Sequence, residues 1–395
     1  MTAAAPRPPR VVLWGTCDLG KPRTRILVEG LRAQGVEVIE IVAHVWEGVE
    51  DKSVLPRRAR ALRLARMAAA WPVLAARYAR APAHDAVLVG YMGQFDVLPA
   101  ALLARLRGAR LAWDMFLSLH DAVAHDRALA RPRSAAGRLL RALERAGARL
   151  ADVVFVDTAA HARRIEGLLD LPPGALAHVP VGAEPAAFPR LPPPPPPAAR
   201  RLRLLFYGQM IPLHGVETIL RAALSERGAA HDWTLIGRGQ QEGLVREALA
   251  RAGAGAAHVR WREWVPYREL IEQMRRADIC LGVFGGSGKA GCVTPNKVHQ
   301  ALAAGRPVVT RDGPALRELA AAIGPEPGLE AAAPEDPEAL LDAIDRLAAR
   351  GLPQPSERAA RVFSPEAIGT QAARLILPRA PRAREREDQT QSART

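Results

Sequence analysis

The 395-residue sequence predicts two α/β domains, each built on a parallel sheet, facing one another across a cleft. Three observations carry this expectation. Short apolar runs alternate with longer amphipathic segments, the pattern of strands covered on both faces by helices. The chain is longer than one ordinary hydrophobic core sustains. The alternation also stops at six consecutive prolines, 192–197, and restarts beyond them; such a run forms a stiff extended linker.

In the first half, Arg10–Gly15 (RVVLWG) reads as a buried strand, followed by a loop and a helix over 24–34 that Gly35 stops. Residues 36–43 (VEVIEIVA) supply the second strand. Further strands are expected over 86–90, 111–116 and 152–156, with helices over 57–80, Val97–Leu106, 135–149 and Ala159–Leu169. After the prolines, strands are expected over 202–207, 234–237, 258–260, 279–284 and 307–310, with helices between them. Residues 365–377 read as a final docking helix, and the polar, charged stretch 379–395 as disordered. The expected division is a first domain over 1–190, a proline linker over 191–200, a second domain over 201–378 and the tail.

Composition narrows the function. The net charge is +14, yet only four of the 55 cationic side chains are lysine: Lys21, Lys52, Lys289 and Lys297. Arginine fills the generic cationic positions, so the charge by itself argues weakly for nucleic acid, and no nucleic-acid reading module supports it. The lysines are the informative cations. No apolar run reaches about 18 residues, so no transmembrane helix is expected. The first ten residues lack an apolar signal region. Cys17, Cys280 and Cys292 are too scattered for a disulfide framework or a zinc site. A reduced cytoplasmic protein without a bound metal is the expectation.

In open α/β sheets, ligands bind outside the carboxyl ends of the strands. Residues 15–22 (GTCDLGKP) have the spacing of a P-loop, but Pro22 stands where that motif needs a hydroxyl for Mg²⁺. A glycine turn lining the cleft is expected instead. Residues 111–127 (LAWDMFLSLHDAVAHDR) gather Asp114, Ser118, His120, Asp121, His125, Asp126 and Arg127 behind a strand. This cluster suits a pocket wall, although Ser118 or Asp121 could equally cap a helix. In the second half, Gly208, Gln209, Pro212, His214 and Gly215 form a glycine turn opening a helix, and 236–239 (IGRG) form another. The densest signal is 284–306 (FGGSGKAGCVTPNKVHQALAAGR), with four glycines in eight residues and two of the four lysines. Thr294 is placed to cap the following helix, with Pro295 in its first position. A glycine loop, a helix start and two ammonium groups make an anion site suited to a diphosphate.

Those residues resemble GT-B glycosyltransferases, two Rossmann-like domains, and in particular the retaining family 4 (glycosyl transferases group 1) that builds bacterial surface polysaccharides. The resemblance rests on 204–220 (LLFYGQMIPLHGVETIL), 235–239 (LIGRG), 264–284 (WVPYRELIEQMRRADICLGVF) and 294–310 (TPNKVHQALAAGRPVVT), with looser support from 114–127 (DMFLSLHDAVAHDR) and 151–161 (ADVVFVDTAAH). It implies retaining transfer from a UDP- or GDP-linked sugar to a saccharide or lipid-linked acceptor, without a required metal. The implied donor residues are Gly208, Gln209, His214, Gly237, Val265, Gly286, Lys289, Asn296, Lys297 and Gln300. The base is expected by 264–267. His120, Asp121 and Asp126 are expected to position the sugar or acceptor, with Ser118, Gly15 and Lys21 on the acceptor side. Departures from the family pattern are also visible. Gln209 and His214 stand where Arg and Lys are common, and Cys292 and Gln300 where paired glutamates are common. A nucleotide-sugar epimerase of the same architecture and an inactive donor-binding subunit are the rival readings. Residues 56–80, with seven arginines among Leu, Ala, Met and Trp71, read either as an interfacial helix at the inner membrane face or as a long solvated helix that Pro72 kinks.

Overall fold

The computed structural model describes residues 7–47, 56–122, 134–194 and 201–377. They form two six-stranded sheets in which every strand pair is parallel. The first sheet contains β1 (Arg10–Gly15), β2 (Glu37–Val42), β3 (Ala86–Val89), β4 (Arg110–Phe116), β5 (Val153–Val156) and β6 (Leu176–His178), in the order β2-β1-β3-β4-β5-β6. The second contains β7 (Arg203–Tyr207), β8 (Asp232–Ile236), β9 (Val259–Arg262), β10 (Ile279–Leu281), β11 (Val308–Arg311) and β12 (Leu329–Ala332), in the order β12-β11-β10-β7-β8-β9. Each sheet reverses its strand order once, between β1 and β3 and between β7 and β10. A doubly wound sheet opens a ligand crevice at that reversal.

Apolar strands explain the layering. In β1 and β7 nearly every residue is buried, because helices cover both faces. One face of the first sheet packs against the helices Arg57–Ala79, Val97–Leu106 and Ala135–Leu150, the other against Pro22–Ala33 and Pro365–Ile376. β6 and β12 are short and half-exposed edge strands without an apolar run, and the sequence reading passed over both. Pro72 does not break its helix, which runs unbroken over Arg57–Ala79. The proline lies on the exposed side, and Trp71 beside it donates to the buried Asp96 carboxylate at 2.8 Å, pinning the helix to the domain.

The chain crosses between domains earlier than the proline run suggests. Phe188 and Leu191 already lie in the second core, and Pro192 accepts from the buried Arg306 guanidinium at 2.7 Å. The crossing falls where Gly182 adopts φ +84° and Ala183 donates to Phe363 O at 2.8 Å. The return crossing ends in the docking helix Pro365–Ile376, which belongs to the first domain. It meets the helix Pro22–Ala33 so closely that a Cβ on Gly369 would lie 2.0 Å from Gly30 O. Residues 195–200 and 378–395 lie outside the described residues.

Candidate functional site

The crevice of the second sheet brings together the loops after β7 and β10. They are joined backbone to backbone: Phe284 donates to His214 O at 3.0 Å, and a Cβ on Gly215 would lie 2.4 Å from Phe284 C. Lys297, near the start of the helix Asn296–Ala303, reaches over this junction. Its side chain is 6% exposed, and its ammonium has no hydrogen-bond partner among the described residues. The Nζ sits 3.8 Å from the centroid of the Phe206 ring. A Cβ on Gly208, at φ +136°, would come within 2.9 Å of that Nζ. Burial holds the ammonium well below the ordinary lysine range. A buried cation without a counter-ion is costly, so this arrangement favours an anion that restores the charge balance.

The local surroundings differ in detail from the sequence reading. The helix is capped by Pro295, with no side-chain capping bond, so Thr294 does not cap it. The ψ of 150° at Pro295 leaves it outside the helix, which therefore starts one residue later, at Asn296. Asn296 lies half-buried at the first helical position. Gln300 is buried and accepts from the Tyr207 hydroxyl at 3.2 Å. His214 donates through Nδ1 to Gln209 O and meets the Phe206 ring in a T-shaped contact, 5.9 Å between centroids. Gly237, at φ +147°, packs directly on Gly208, where a Cβ would lie 1.8 Å from Gly208 O. The Gly286 amide donates to the Glu335 carboxylate at 3.1 Å. Lys289 is buried near Asp121 of the first domain. Val265 is buried, while Trp264 and Tyr267 beside it are more than half exposed.

The first-domain cluster is arranged by residues that the sequence reading missed. Ser118 caps the short turn Leu119–Asp121 and donates to Glu144 at 2.6 Å, so its hydroxyl is engaged inside the domain rather than open to an acceptor. Glu144 also accepts from the Leu119 and His120 amides, and burial pushes its carboxyl up to about 7. Asp121 is fully buried and held by Arg164 through both oxygens, at 2.7 and 3.1 Å. Burial opposes its charge, but the Arg164 pair outweighs it and keeps the carboxyl below the ordinary range. His120 is buried beside it. His125, Asp126 and Arg127 lie outside the described residues. Arg164 itself flanks Gly288, so the Asp121 pair lies against the lysine loop of the second domain. Further cross-domain bonds run from Thr158 Oγ1 to Cys292 O and from the Ala159 amide to Glu318 at 2.9 Å.

At the crevice of the first sheet, Gly15 has φ +121°. Asp96 accepts from the Thr16 amide at 2.6 Å, the Thr16 hydroxyl at 2.9 Å and the Trp71 indole. This carboxylate fills the turn, and Lys21 caps the following helix from outside it.

Two parallel α/β domains with a cationic crevice on the second define a GT-B type of protein. Residues 201–350 match the sequence model "Glycosyl transferases group 1", and residues 20–182 match the "Glycosyl transferase 4-like domain". The chain belongs to the glycosyl transferases group 1 family and is a glycosyltransferase. Among solved structures it is similar to sucrose-phosphate synthase from Thermosynechococcus elongatus, with 18% identity, TM-score 0.66, and 93% and 98% of the two chains covered. It is likewise similar to HepE of Anabaena in complex with UDP-glucose, with 12% identity, TM-score 0.61, and coverage of 93% and 99%. A third is the lipopolysaccharide outer core galactosyltransferase WaaB, with 12% identity, TM-score 0.58, and coverage of 91% and 97%. These likenesses establish the shared fold. No curated protein sequence is significantly similar to the chain.

Proposed function

We propose that the protein transfers a glycosyl group, with retention, from a UDP- or GDP-linked sugar to a saccharide or lipid-linked acceptor in surface-polysaccharide synthesis. The observation that carries this reading is the buried, unpartnered Lys297 ammonium behind Gly208. A same-fold structure holding UDP-glucose supports it. Breaking the sugar–phosphate bond leaves negative charge on the departing nucleoside diphosphate, and an oxocarbenium-like centre on the sugar takes the acceptor hydroxyl oxygen as its proton passes to the departing diphosphate oxygen. Lys297, Lys289 and the uncapped amides of Asn296–Ala303 stabilise that charge electrostatically; the proposal assigns it to them and not to a metal ion. The exposed Trp264 and Tyr267 flank the base, and the first domain presents the acceptor beside Asp121 and His120.

A thermal-shift panel tests the reading, since a ligand bound only by the folded state raises the melting temperature. UDP or GDP should raise it, and a panel of nucleotides with no shift overturns the donor site. Conversion of a UDP- or GDP-sugar without any acceptor would instead identify an epimerase.

The proposal includes a peripheral position at the inner membrane face. The helices Arg57–Ala79, Val97–Leu106 and Ala135–Leu150 carry eleven arginines and a single carboxylate, the buried Glu144. Six of the eight large apolar side chains exposed among the described residues also lie on them: Leu62, Leu64, Val73, Leu102, Leu106 and Leu139. Exposed apolar and cationic groups together suit an anionic bilayer surface. Among the described residues no helix is long and apolar enough to cross a membrane. Co-flotation with phosphatidylglycerol vesicles at low salt is expected, and its absence removes the membrane position.

A further inference from the structure

We propose that Phe206 is a positioning residue for the diphosphate site, its ring face holding the Lys297 ammonium and a T-shaped contact steadying His214 on the same side of Gly208. The inference rests on the donor-site reading above and adds how the site keeps its charge available. Three observations support it. The Nζ lies 3.8 Å from the ring centroid, close cation–π geometry. The His214 ring meets Phe206 in a T-shaped contact at 74°. The position of a Cβ on Gly208 is 2.9 Å from Lys297 Nζ and 3.4 Å from His214 Cε1, so both cation-capable heads converge on the open side of that glycine.

The physical advantage lies in what the ring does not do. A carboxylate beside Lys297 would secure the ammonium but cancel its charge and repel a diphosphate. A ring face attracts the cation through its quadrupole without adding net charge. Phe206 is fully buried in β7, a strand flanked on both sides by β8 and β10, so the ring is a rigid platform. Neighbouring strand residues point to opposite faces, and Tyr207 is accordingly used elsewhere, donating to Gln300 and Lys297 O. Gly208 then leaves the space that the heads occupy.

The test uses the full chain with inorganic pyrophosphate, UDP and GDP as probes, comparing Phe206→Leu and Phe206→Met with Phe206→Tyr, each alone and combined with Lys297→Met. Both ringless variants should bind the nucleoside diphosphate about thirtyfold more weakly, the size of one desolvated cation–π contact. Phe206→Tyr should retain binding, and in the Lys297→Met background loss of the ring should add nothing. Wild-type affinity in both ringless variants, or an equal loss with and without Lys297, overturns the positioning role. If Lys297→Met leaves the binding of all three probes unchanged, the donor-site reading falls together with the inference. If only the coupling is missing, the donor site stands and Phe206 is ordinary core.

Discussion

The two crevices of this molecule share one backbone plan and have opposite electrostatics. Each lies where a strand order reverses, and each begins with a glycine at positive φ after the first strand of its sheet. At Gly15 the nearest side chain is the Asp96 carboxylate, 2.7 Å from a would-be Cβ; at Gly208 it is the Lys297 ammonium, at 2.9 Å. Asp96 has three donors and is satisfied, whereas Lys297 has no hydrogen-bond partner among the described residues. A satisfied carboxylate closes a turn and repels phosphate. An unsatisfied ammonium holds the turn open to an anion. The strand order gives both domains a crevice, and a single buried charge decides which one suits a diphosphate.

Substitutions at matched positions break or sharpen this contrast. The largest effect is expected from Lys297→Ala, which should lower kcat/KM for the donor by about 10²–10³, the usual cost of removing one preorganised charge-stabilising group. Near-wild-type turnover would show that the second crevice is not the donor site. Next, Gly15→Ala and Gly208→Ala should each cost about 1–3 kcal/mol of stability from the forced φ. Only Gly208→Ala should also lower donor affinity, about tenfold, by pressing on Lys297. Equal loss of affinity in the two variants, read by calorimetry at matched folded fractions, would erase the distinction between the crevices.

The smallest effects concern pH. Burial lowers His299, packed 4.3 Å from Phe363, to about 4. The unfolded chain binds this proton more readily, so the His299 contribution is complete above about 6.5 and is lost as pH falls towards 4. Glu144 acts in the opposite sense. Raised to about 7, it favours the fold at acid pH and withdraws that support as pH rises from about 4.5 through 7. His299→Leu should therefore flatten the acid limb of a melting-temperature profile, and Glu144→Gln the neutral limb. An unchanged limb in either variant would contradict the corresponding burial.

Much of the fold was legible because the strands are continuous apolar runs. β1, β4, β5 and β7 lie within a residue or so of where their sequence places them. Residues 279–284 read as one strand; its regular part ends at Leu281, and the extension survives only as single bonds, Gly282 donating to Val309 O and Val283 O accepting from Arg311, both at 2.8 Å. In the site, scarcity singled out Lys289 and Lys297, and both are buried in the lysine loop and its helix. Ser118 and Asp121 carried the right residue types for a pocket, yet Glu144 and Arg164 had already engaged them. Those partners are 26 and 43 residues further along, on different helices, where no local pattern reveals them.

The sequence by itself determined two doubly wound domains, the glycine turns after their strands and the lysine-bearing loop, because periodicity, glycine placement and a rare residue are local properties. That Lys297 is buried against Phe206, which carboxylates are already satisfied, and that the chain changes domain before its prolines were decided by the tertiary structure alone. Each depends on what faces a group across the fold, as Phe206 faces Lys297 and Asp96 faces Gly15, and burial makes those distant neighbours set the charge that a ligand would meet.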